Sequence, residues 1–235
     1  MLLLSAKTTY PMPPALQLLL CFILFTFLHL GVTALCARAF GIRVRKLCYG
    51  VGPTLLRLGK VHVKLLPVAG TMVLKDTREE TLYDDDPCLD AYNFQPLWKQ
   101  VLLPLCGVAV LLVLSLGILG AAGWARFIAA FGQIVHGALA PLSTAQGLLA
   151  EGEAFARTHG FAAVFALFTI KLCAFNLLPF GGLNGGQALL AIARGGKPYV
   201  AWEERVAQWL LLPGLAIVLA WLVAFGWYGW YAPGA

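Results

Sequence analysis

Apolar residues in this chain run in blocks too continuous for the core-facing stripe of a soluble helix. Four blocks, at 14–37, 101–122, 161–180 and 206–228, each approach the roughly 20 residues that cross a hydrocarbon layer. A helix apolar all round is one that lipid or protein surrounds on every side. The first block competes with a signal-peptide reading, but it is too long and no A-x-A cleavage pattern follows it. The period changes in "VHVKLLPVAGTMVLKD" (61–76). There Val61, Val63 and Leu65 alternate with His62 and Lys64, Val68-Ala69-Gly70-Thr71 offers a turn, and Met72-Val73-Leu74 reads as a return strand. A short β-hairpin is therefore expected over 61–76, within a loop spanning 38–100. The semi-apolar stretch "WARFIAAFGQIVHGALAPL", in the loop 123–160, predicts an interfacial helix. The expected fold class is an all-α polytopic membrane protein with about four transmembrane helices and one small membrane-associated hairpin. It forms a single membrane domain over 1–235.

Composition strengthens this picture. The 235 residues are 60% hydrophobic and 12% charged, with a mean hydropathy of +0.80, which excludes a soluble globular domain. Of the 17 Lys and Arg, ten lie between Arg38 and Lys99 and only Arg126 and Arg157 lie in the loop 123–160. Positive charge marks the cytoplasmic side, so the loop 38–100 and the segment around 181–205 are expected in the cytoplasm. The expected location is a bacterial cytoplasmic membrane. A net charge of +6 without an aromatic-interleaved basic patch points to topology and lipid headgroups, not to nucleic acid. The six cysteines form no C-x-x-C pair and read as small apolar packing residues.

The one place where the apolar pattern breaks at membrane depth is "NLLPFGGLNGGQALL" (176–190). Irregular backbone survives there only under protein or beside a cavity, which makes it the place to look for a site. Lys171 is the only charge inside an apolar block, and its position far from either end leaves open an interior partner or snorkelling. Asn176 and Asn184 read as groups that satisfy broken backbone.

Several spaced motifs together resemble the site-2 protease family of intramembrane zinc metalloproteases. They are Ala37-Arg38-Ala39-Phe40-Gly41, Gly50-Val51-Gly52-Pro53, Asn176-Leu177-Leu178-Pro179 and Leu183-Asn184-Gly185-Gly186, in the family's order over residues 15–195. The resemblance implies a zinc held by the two His of H-E-x-x-H and a distant Asp, with the Glu activating water. Here the motif reads His29-Leu30-Gly31-Val32-Thr33, and Asn184 stands in the place of the Asp. One imidazole and one amide cannot supply the three protein ligands that catalytic zinc needs. All eleven carboxylates lie outside the four blocks, so no general base is available at depth.

The expected function is a pseudoprotease: a non-catalytic scaffold that binds an integral membrane partner, with no catalytic residues, metal site or cofactor of its own. Partner binding is assigned to Val61, Val63, Leu65 and Met72 of the hairpin and to Asn176, Gly181, Gly182 and Asn184 of the broken span. An exposed strand edge accepts a partner strand whether or not chemistry follows. The alternative is an active intramembrane metalloendopeptidase with unusual or partner-supplied zinc ligands.

Overall fold

The first helix starts where Pro13 and Pro14 allow it to. Proline is preorganised for the first helical turn, and its missing N–H is one that no intrahelical carbonyl would have met. From there the computed structural model, which describes residues 12–78 and 88–231, runs unbroken through α1 (Pro14–Ala39). Gly41, at φ 75°, supplies the left-handed turn that ends the helix and sends the chain into β1 (Val44–Leu58). A tight turn at Gly59-Lys60 leads into β2 (Val61–Leu74).

This corrects the expected hairpin. Its first strand lies upstream, in "VRKLCYGVGPTLLRL", and the expected turn at 68–71 falls inside β2. The two antiparallel strands are long, bulged and bent. Residues 54–58 pair with 61–64 across the turn, and 44–49 pair with 70–74. Leu47, Cys48 and Tyr49 also take second partners in Val61, His62 and Val63.

The sheet climbs back along α1. Tyr49 stacks on Phe27 with ring centroids 5.6 Å apart, and its hydroxyl reaches the Phe27 carbonyl at 3.5 Å. Phe27 stands twelve residues before the helix end at Ala39, about 18 Å at 1.5 Å per residue. Tyr49 is thus level with the middle of α1.

Helices α2 (Leu97–Leu119) and α3 (Ala121–Leu139) meet at Gly120, at φ 61°. Then follow α4 (Thr144–Thr158), α5 (Phe161–Asn176), α6 (Asn184–Arg194) and α7 (Glu203–Tyr231). Among the described residues three helices, α1, α2 and α7, are long and apolar enough to cross a membrane. The third expected block is shorter than read: α5 has 16 residues, about 24 Å, and the chain turns at Leu177 because the N-x-x-P segment follows. The stretch expected at the interface forms α3. It buries Gly123, Phe127, Ala130, Ile134 and Gly137 at three- and four-residue spacing. That face joins a core in which Phe25 of α1, Leu111 of α2 and Ile170 of α5 are buried. Trp221 of α7 locks against α3, its indole N–H donating to the Ile134 carbonyl at 3.0 Å while its ring occupies the space left free by Gly137.

Pro104 shows how a defect is reused. It sits inside α2 and has no N–H for the carbonyl four residues back. That carbonyl, of Gln100, instead accepts the Tyr92 hydroxyl at 2.7 Å. Burial pushes the Tyr92 phenol up to about 12, so it remains a donor at any physiological pH.

Candidate functional site: a closed His29–Asn184 pair

The α5–α6 turn brings Asn184 to His29. Pro179 stops α5 from continuing, and the chain reverses so tightly that Gly185 and Gly186 lie against the backbone carbonyls of Leu177 and Phe180. Any side chain there would occupy the space of those oxygens. The reversal makes Asn184 the first residue of α6 and places its amide 2.8 Å from His29 Nε2. The amide donates, so Nε2 is the unprotonated nitrogen of a neutral imidazole. Phe25, one turn earlier in α1, stacks on the ring at 5.5 Å.

The other two positions of the degenerate motif are also closed. Thr33 is buried, and its hydroxyl donates to the His29 carbonyl at 2.7 Å, a bond within its own helix. Helix α2 presses on it through Gly107, where a Cβ would lie 2.6 Å from Thr33 Oγ1 and 2.8 Å from the His29 carbonyl oxygen. Leu30 is buried with its terminal methyl against Gly70 of β2, which also rests on Thr26. The sheet therefore lies on α1 over the residue that stands where the family has its base.

This donor set does not fit a resident zinc. His29 faces an amide and a hydroxyl already committed to its own backbone, and no three His, Cys, Asp or Glu gather into a metal site among the described residues. Tetrahedral zinc needs three such protein ligands and one open position.

Other expected site residues are dispersed. Asn176 satisfies its own helix, its amide donating to Leu172 O at 2.8 Å, and does not join the pair. Of the two glycines expected to admit a partner, Gly181 is used within the chain. Gly181 donates to Leu210 O of α7 at 2.9 Å and abuts the backbone of Ala207, while Gly182 is exposed next to Leu211. Val61 and Val63 are paired on both sides, Met72 pairs only with Leu47, and Leu65 is exposed. Lys171 has an interior partner: its ammonium donates to Gln133 of α3.

A second polar cluster had no signal in the sequence. Arg78 donates to Asp76 at 2.6 Å and to Glu203 at 2.7 Å, and buried Arg194 donates to Glu203 and Gln100. Burial opposes the charge on Arg78, but hydrogen bonds from it to Asp76 and Glu203 outweigh that and hold its pKa above the usual range. The cluster ties the exit of β2 to the starts of α2 and α7 and the end of α6. Its partners lie up to 125 residues apart, which is why no local pattern announces it.

A helical membrane-type architecture, a sheet laid on the first helix and a His–Asn pair set by the spaced motifs point to one class: proteins built on an intramembrane metalloprotease frame. The family model for Peptidase family M50, the site-2 protease family, matches residues 17–221, and the chain belongs to that family. A search of curated proteins returned no match.

Proposed function

We propose that the chain is a non-catalytic member of the family that binds an integral membrane partner. The observation that carries this reading is the direct bond between His29 and Asn184, with Thr33 turned onto its own helix and Leu30 covered by β2. Each position that would hold the metal or activate water has an alternative contact, while the sheet beside it is retained. The partner-binding element is the sheet edge at 70–74, which pairs only with β1. An edge of that kind accepts an extended segment through main-chain hydrogen bonds. Arg57 on the segment 54–58, with Pro53 just before it, blunts the opposite edge.

The test is co-purification of a membrane partner from native membranes. Val63→Pro, which breaks the sheet between Tyr49 and Leu56, is expected to reduce partner recovery at least tenfold while the chain still inserts. His29→Ala is expected to leave recovery unchanged. The reverse outcome, with recovery following His29 and indifferent to the sheet, would overturn the scaffold reading.

The orientation we infer puts residues 38–100 in the cytoplasm, on the ten-to-two cation bias. Cys88 is exposed and reports on that loop. A membrane-impermeant maleimide is expected to label it only after the cells are opened; labelling of intact cells would reverse the topology.

A further inference from the structure

Four cations share one end of the β1–β2 sheet, and among the described residues no carboxylate pairs with them. Burial first, and then the charges of Lys46, Arg57 and Lys64, hold the His62 imidazole below the ordinary range. Cross-strand pairing explains the grouping: His62 stands opposite both Cys48 and Arg57, and Lys64 opposite Thr54. Lys60, in the turn, joins them because its carbonyl accepts the Leu47 N–H at 2.8 Å. Among the described residues the ion pairs involve none of these four. Among the described residues, Asp76 pairs with Arg78, Asp90 with Lys75 and Arg43, and Glu203 with Arg78 and Arg194. His62 Nδ1 is buried without a hydrogen-bond partner. Like charges gathered without a counter-ion repel one another, and an external anion relieves that repulsion.

The same sheet exposes a run of large apolar side chains. Leu55, Leu56, Leu58, Leu65 and Leu66 are each at least half exposed. The charges are sorted along its length. The far end, at 50–53 and 65–70, carries none, and the cations lie nearer the turn and the end of α1. Since the sheet lies along α1, a helix able to span the bilayer, an apolar far end and a cationic near end match an acyl layer and its phosphate border.

We propose that this cationic end of the sheet, with the exposed leucines beside and beyond it, binds anionic phospholipid. The headgroup phosphate sits among Lys46, Arg57, Lys60 and Lys64, with His62 as a neutral neighbour able to offer a hydrogen bond, and the acyl chains run along the exposed leucines. A free phosphate would satisfy the cations but leave those leucines in water, which favours a lipid as occupant. This site is separate from the His29–Asn184 pair and does not depend on whether the chain binds a protein partner.

The test uses the full chain in nanodiscs of phosphatidylcholine containing a minor share of phosphatidylglycerol. Lipids retained on the protein are counted by mass spectrometry after mild detergent extraction. The wild type is expected to retain phosphatidylglycerol selectively, with retention falling as salt rises. Near an anionic surface each cation contributes about fivefold in affinity, so K46Q/R57Q/K60Q/K64Q is expected to weaken retention at least tenfold. K197Q/R205Q, two exposed cations outside the sheet, is expected to leave retention unchanged. Should the fourfold variant fail to fold in phosphatidylcholine alone, R57Q at the exposed edge carries the test with an expected fivefold loss. Equal losses in the sheet and control variants would reduce the effect to general charge and overturn the proposal. Displacement of the lipid by millimolar inorganic phosphate would also overturn it, in favour of a soluble anion.

Discussion

Valine in place of Gly186 is expected to lower the melting temperature by roughly 6–12 °C, whereas alanine in place of Gly132 leaves the fold intact. Both glycines are helical, in α6 and α3. They differ in what surrounds them. The Phe180 carbonyl occupies the space a Cβ at Gly186 would need, whereas nothing lies near that position at Gly132. Backbone oxygen cannot rotate aside as a side chain does, so relief requires opening the α5–α6 turn. Overpacking a rigid site costs about 1–3 kcal/mol or more, and a β-branched side chain against backbone belongs at the top of that range. Against a marginal total of about 5–15 kcal/mol, the loss is large, and Asn184 moves away from His29 with it. At Gly132 the substitution restricts the unfolded chain and stabilises the helix by about 0.5–1 kcal/mol. Thermal unfolding in detergent, followed by helical circular dichroism, separates the two. Equal melting points for G186V and the wild type would mean that the turn is not closed on itself in this way.

How much of this could be seen in the chain beforehand depends on the range of the interaction. Strong local patterns were legible: the four apolar blocks became α1, α2, α5 and α7, and the break after Asn176 was visible from Pro179 and its glycines. The hairpin was half legible. Alternation at 61–65 marked a strand, but "CYGVGPTLLRLG" does not alternate because Gly50 and Gly52, at φ 95° and 94°, put irregularities into β1. A strand interrupted by glycines reads as loop, and the true turn at Gly59-Lys60 was lost with it. Glycine also misled in the broken span. Gly181 and Gly182 suggested room for a partner, yet Gly181 is consumed by α7, as Gly185 and Gly186 are by the turn itself. Composition gives the presence of small residues, and only tertiary structure says which backbone comes close. Neither the Gln133 partner of Lys171 nor the double clamp on Glu203 had any local signature.

The site at His29 is the reverse case: the resemblance to the family matched His29, Thr33 and Asn184 to its ligand positions, and the fold sets Asn184 beside His29 with Thr33 one turn along the same helix. A frame of this family is therefore expected to accept a metal when the family's ligands are supplied. Asn184 Nδ2 lies 2.8 Å from His29 Nε2. Two ligand atoms of a tetrahedral zinc with bonds of about 2.05 Å stand about 3.3 Å apart, so a carboxylate at position 184 needs only a small displacement. An imidazole at position 33, one helical turn from His29, supplies the third ligand if it turns away from Gly107, where α2 leaves no room. The double variant T33H/N184D is expected to purify with about one zinc per chain, and H29A added to it to purify without zinc. The unaltered chain is expected to hold no stoichiometric zinc, because an amide and a hydroxyl are poor ligands and neither carries charge. Proteolysis is not expected from the double variant, since Leu30 still stands where a carboxylate must activate water. Elemental analysis of the three detergent-purified proteins decides it. One tightly held zinc on the unaltered chain, lost with His29→Ala, would return the protein to the metalloproteases. A zinc-free double variant that still folds would show that the geometry, and not merely the ligands, has departed from the family's.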